Sequence, residues 1–279
     1  MNKTIHFQRG ISLVGLMVAA MIGLFIVGAA LQMYSNSQQT FKARQAISAA
    51  SENGRFALSD LRRIIVMAGR GMDASSARDQ QAIDKTFTSM ATSILNTSEG
   101  GTNGSDTIEF RVAKGRDCLG NTITEVPLAG GKTRGTVTVI SYSVQVNANG
   151  ISELVCSVNG GVVQPLVSGI EMIKFLYGVD TTDDNFANMY MTADQLNVLQ
   201  GTPGNEKIWE EIVAVRIGVL STSAEFTIPM GRRATTSPDK EVLHGLYHPV
   251  NSTGNGGDAN AWAYRVNTET VALRNLIAQ

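Results

Sequence analysis

The sequence predicts an α+β fold in which one long N-terminal helix packs on a mainly antiparallel sheet. Three observations predict it. No residue from Gly10 to Thr40 is charged. From Ile47 to Ala68 apolar residues recur three and four apart. After Gly71 the pattern turns to alternating, β-branched segments separated by polar and glycine-rich turns.

The helix comes first. The first proline is Pro127, so nothing before it forces a break. A helix over Ile11 to Phe41 would be about 46 Å long, more than the ~30 Å hydrocarbon core of a bilayer. Lys3 and Arg9 precede it without an acid, and basic residues hold that end of a span in the cytoplasm. "GAA" at Gly28–Ala30 could pass for a signal-peptidase site, but the helical pattern runs on past it. The second half is amphipathic. Ile47, Ala50, Gly54, Ala57, Leu58, Leu61, Ile64, Ile65 and Ala68 share one face, with Ile47, Leu58, Leu61, Ile64 and Ile65 expected to pack on the head. Glu52, Arg55, Ser59, Arg62 and Arg63 lie off it. "GRG" at Gly69–Gly71 is the expected stop. The expected divisions are 1–10, a leader; 11–41, a span; 42–71, the amphipathic half of the same helix; and 72–279, an α+β head.

Strands are expected in the head at Asp106–Ala113, Gly135–Asn147, Ile151–Asn159, Gly169–Asp180, Glu211–Leu220 and Trp262–Leu273. The second and third form a hairpin, and the end of the last could be helical. Thr181–Glu206 reads as a polar insert and Gly231–Asn260 as a Gly/Asn/His loop.

The chain has 279 residues and a formal net charge of -1, so bulk charge gives no case for direct nucleic-acid binding. Its two cysteines, Cys118 and Cys156, would form one disulfide in an exported protein and two buried thiols in a cytosolic one. No P-loop, GxSxG, HExxH or CxxC occurs, and the expectation is a non-enzymatic protein without a cofactor. His244 and His248 stand four apart, but Gly245 and Pro249 argue against a helical metal site, leaving exposed loop histidines. "DTTDDN" places Asp180, Asp183 and Asp184 in one turn, a Ca²⁺ candidate that lacks EF-hand spacing and its closing glutamate and reads as a solvated turn.

"RG" at Arg9–Gly10, "ISLVGLMVA" at Ile11–Ala19 and the two-part helix resemble the type IV pilin family. "ENGRFALSDLRRIIVMAGR", "PLVSGIEMIKFLYGVD", "EEIVAVRIGVLSTS" and "TVALRN" look like PilW-type minor pilins, in the same order. The resemblance implies a pilin-like fold, cleavage by a prepilin peptidase between Gly10 and Ile11, and N-methylation of Ile11. It implies a single-pass inner-membrane subunit with a periplasmic head that moves to the cell-surface pilus. Its partners would be other minor pilins, the major pilin and a tip adhesin. Pilins carry a glutamate five residues after the cut; here that position is Gly15. The missing acid implies a subunit with no neighbour ahead of it, at or near the tip of the pilus, where assembly is initiated. A pseudopilin of a type II secretion system, a membrane-anchored periplasmic binding protein with no filament role and an exported enzyme cut near Ala30 remain the alternatives.

Overall fold

In the computed structural model the residues described are 13–68, 98, 100, 104–123, 125–127, 133–135, 137–203, 208–223, 239–247 and 262–273. Helix α1 runs from Leu13 to Met67. Among the described residues twelve strands, one short α-helix and a 3-10 turn at Ile208–Glu211 follow: β1 Ile108–Val112, β2 Glu125–Pro127, β3 Thr133–Gly135, β4 Thr138–Val146, β5 Ser152–Val158, β6 Gln164–Ser168, β7 Ile170–Val179, β8 Met189–Met191, α2 Ala193–Gln200, β9 Ile212–Thr222, β10 Lys240–Val242, β11 Gly245–Tyr247 and β12 Tyr264–Ala272.

Two four-stranded sheets, in the orders β1-β4-β5-β6 and β12-β9-β7-β8, form the head. All their pairings are antiparallel. The sheets meet where β6 runs into β7. Gly169 stands between these strands with φ +76°, a left-handed conformation that glycine adopts without the Cβ penalty. Its N–H donates to the Ser152 carbonyl, and its own carbonyl accepts from the Thr222 N–H. One nearly continuous strand thus bends from the first sheet into the second.

Ile108 and Phe110 of β1, Ile140 of β4, Ile173, Phe175 and Tyr177 of β7, and Val215, Ile217 and Val219 of β9 join Leu58, Leu61, Ile64 and Ile65 of α1 in one core. The alternation along β7 and β9 is the reason for this division. Between the bulges, Ile173, Phe175 and Tyr177 of β7 and Val215, Ile217 and Val219 of β9 join the helix-side core, and Met172 and Leu220 face the other way, under Val242 of the β10–β11 hairpin.

The expected main strands are present, and the last of them is extended through Ala272. The polar insert departs from expectation. It contains β8 and α2, which Thr192 opens with a capping box: its hydroxyl accepts from the Gln195 N–H, and the Gln195 side chain accepts from the Thr192 N–H. The Gly/Asn/His loop contains the β10–β11 hairpin. His244 is not the exposed loop residue expected: its side chain is 18% exposed, with Nε2 3.7 Å from Asp106 Oδ2, because the hairpin folds it over the second sheet. His248 and the expected stop at Gly69–Gly71 lie outside the described residues.

Candidate assembly helix and its seat on the head

The helix has two halves with opposite surroundings. In the first, Leu13 to Phe41, no side chain is charged and the large apolar residues stand open; Leu24 and Phe25 are 74% and 80% exposed. The most apolar window has a mean hydropathy of 2.5 and none of it is buried, so by length and composition this half can cross a membrane. A side chain at Gly15, Gly23 or Gly28 would meet nothing within 4 Å. Among the described residues nothing therefore requires glycine at position 15.

The second half is seated. Its buried line is Ala46, Ala50, Gly54, Ala57, Leu58, Leu61, Ile64 and Ile65. Small residues come first and large ones later, so the helix lies close to β9 and β12 at Gly54 and over a deeper core at Leu61. A Cβ at Gly54 would lie 2.6 Å from Ser221 Oγ and against the Asn267 amide. Ser221, fully buried, donates its hydroxyl to the Ala50 carbonyl at 2.7 Å. Asn53 Nδ2 donates to the Thr222 carbonyl at 3.2 Å. The approach that excludes a side chain at Gly54 is the one these two bonds hold.

Of the residues expected to pack on the head, Leu58, Leu61, Ile64 and Ile65 are buried and Ile47 is not, at 46% exposed. At that level, among the described residues, Ala263 packs on Ala46 and Ala50, on the side away from Ile47. Ile47 is turned about 100° from Ala46 and is left outside the contact.

Near the C-terminal end a polar cluster pins α1 to the first sheet. Asp60 accepts from Arg63 Nη2 at 2.8 Å and from the Tyr142 hydroxyl at 2.8 Å. Arg63 Nη1 donates to the Asp117 carbonyl at 3.2 Å. Burial, and then the charge of Asp60, push the Tyr142 phenol far above its ordinary range, so it remains a neutral donor. Asp117 shapes its own loop by accepting from the N–H groups of Leu119 and Asn121. Cys118, next in the chain, is joined to Cys156 on β5, the residue paired across the ladder with Tyr142. The disulfide thus ties the loop that holds Arg63 to the strand beside Tyr142. Arg62, more exposed, pairs with Glu269 on β12 at 2.7 Å.

The Asp180 turn uses its carboxylate internally. Oδ2 accepts from the Asn185 N–H, and Oδ1 from those of Thr182 and Asp184, at 2.6, 3.0 and 3.3 Å. Burial raises its pKa, and these backbone donors outweigh burial and hold it below the usual aspartate range. Asp183 and Asp184 are exposed, and among the described residues no three His, Cys, Asp or Glu side chains are grouped to hold a metal. Gly10 and Ile11 lie outside the described residues.

Ser221, Asn267, Tyr142 and Asp117 were not singled out from the sequence. Ser221, Asn267 and Tyr142 sit on strands and meet residues of α1 far away in the chain, and Asp117, in a loop, meets Arg63 through its carbonyl; a single polar residue carries no sign of such a neighbour.

With this geometry in place, residues 141–275 match the family model of PilW, described as type IV pilus-assembly protein W. This stretch of the chain is similar to PilW. The match starts in β4 and ends just past β12, so it covers most of the head and leaves α1 outside it. A type IV-like pilin from Thermus thermophilus is similar at 12% identity and a TM-score of 0.38, over 81% of this chain and 97% of that one. No curated protein matches the chain.

Proposed function

We propose that the protein is a minor pilin that takes part in initiating type IV pilus assembly, at or near the tip. A prepilin peptidase would cut between Gly10 and Ile11, and Ile11 would be methylated. The subunit would sit in the inner membrane with its head in the periplasm, then move to the cell-surface pilus with other minor pilins and the major pilin, or join a tip adhesin. It works by packing and not by catalysis.

The observation that carries the reading is Gly15 on an open, uncharged helix face. A helix bundle built from such faces is a low-dielectric interior, and a charged N-terminal amine placed there needs a carboxylate. This helix offers none, since its first acid is Glu52. The lack costs nothing if no subunit stands ahead of this one. Among the described residues nothing lies within 4 Å of a Cβ placed at Gly15, which supports looking for the reason for this residue in the assembled state.

The test is to label the head in assembled pili. One label at a pilus end is the expected result; labels spaced along the length would overturn the tip placement.

A further inference from the structure

We infer that Lys42 and Arg44 form a collar that binds anionic phospholipid headgroups on the head's side of the membrane. The inference rests on the reading of α1 as a membrane anchor and adds a lipid preference to it.

Leu13 to Tyr34 spans about 33 Å of helix, close to the thickness of the hydrocarbon core, and Tyr34 is an exposed aromatic of the kind found at the membrane–water boundary. Ser35 to Thr40 is entirely polar and uncharged. Lys42 and Arg44 follow about 12 and 15 Å beyond Tyr34 along the axis. The headgroup layer is roughly 5–8 Å deep on each side. Helical side chains lean toward the N-terminus, here back toward the bilayer, and both cations are long enough to close the remaining gap.

Among the described residues the head leaves them free to do so. Burial begins at Ala46, and although Gln39, Thr40 and Ala43 are half-buried, Phe41, Lys42, Arg44 and Gln45 are exposed. No hydrogen bond or ion pair engages Lys42 or Arg44 among the described residues. Two residues apart, they project about 200° from each other, so they flank the helix and do not form a one-sided patch. No acid precedes Glu52, so the neck carries uncompensated positive charge within about one Debye length of the lipid surface. Basic residues also favour the cytoplasmic flank of a span, so two cations beside the exported end weaken the orienting signal. A direct use for them there accounts for that cost. Phe41, 65% exposed between them, adds an aromatic contact at the same depth.

The test uses the full chain reconstituted in phosphatidylcholine bilayers with spin-labelled phosphatidylglycerol or phosphatidylcholine. The readout is the ratio of the two association constants, taken from the motionally restricted fraction. A cation at an anionic surface is worth about fivefold in binding. Averaged over all lipid positions around the helix, K42Q/R44Q should lower the phosphatidylglycerol preference by at least about twofold. K42R/R44K should keep it, and raised salt should reduce it in the unaltered chain. An unchanged ratio in K42Q/R44Q overturns the inference. If pilus assembly then falls instead, the two cations serve a neighbouring subunit's acids. Absence of any restricted lipid would refute membrane anchoring itself, a result distinct from an unchanged ratio.

Discussion

Replacing Gly54 by alanine tests how the helix meets the head, because two principles give opposite signs. By propensity alone, Gly→Ala inside a helix stabilises by up to about 1 kcal/mol. The structure predicts a loss. The new methyl would sit 2.6 Å from the buried Ser221 Oγ and against the Asn267 side chain. Asn267 can swing aside, but Ser221 is fully buried and holds the Ala50 carbonyl at 2.7 Å. Displacing that hydroxyl costs roughly 1 kcal/mol for the hydrogen bond, and pushing α1 away from β9 costs roughly 1–3 kcal/mol of overpacking. Set against the propensity gain, the net is a destabilisation of about 1–3 kcal/mol. The assay is urea unfolding of the full chain in detergent, followed by the fluorescence of Trp209, which is buried in the core beside Tyr177. Ser221→Ala shrinks the obstacle, so the double variant should lose less than the sum of the singles, with a coupling of about 1 kcal/mol. Gly23→Ala, on the open half, is the control and should not destabilise. A Gly54→Ala chain as stable as the parent, or more stable, would refute the close seat.

Three further predictions follow from the same structure. Replacing Cys118 and Cys156 by serine opens a cross-link between residues 38 apart in sequence. It should cost about 2–4 kcal/mol in the same unfolding assay; an unchanged midpoint would show that the bond does not constrain the chain. The Asp180 carboxyl is held below its ordinary value, so the stability it contributes is present above the unfolded aspartate pKa. That stability is lost as pH falls through the lowered folded value. Amide exchange at Thr182 and Asn185 should therefore stay slow, relative to the intrinsic rate, at the ordinary aspartate pKa and quicken only below it. Quickening at the ordinary aspartate pKa would contradict the shift. Gly15→Glu restores the acid that pilins carry at this position. At a tip site it should leave the number of pili per cell unchanged or lower it, and a rise would contradict the tip reading.

The long helix was legible because its two signals are local and sustained: an uncharged run, then apolar residues three and four apart. The main strands were legible for the same reason, since alternation with β-branched residues persists over β4, β7 and β9. Short elements were not. β6 and β10–β11 are three to five residues long, too short for a period to show. The Thr192–Gln195 capping box of α2 was readable and was missed because the surrounding composition reads as loop. Periodicity also placed Ile47 in the seat. Its angle on the helix is right, but the head does not reach that side so far down, and only tertiary structure decides that. The open half was recognisable from its uncharged run. The Asp60–Arg63–Tyr142 cluster was not, since residues 82 apart share no sequence pattern.

The account stands on α1 being kept whole as an assembly helix. Mass spectrometry of the protein from assembled pili tests this most directly. The account predicts a mature chain that begins at N-methylated Ile11, with the apolar helix intact. A chain that retains Met1–Gly10, or one that begins beyond Gly28, would contradict it.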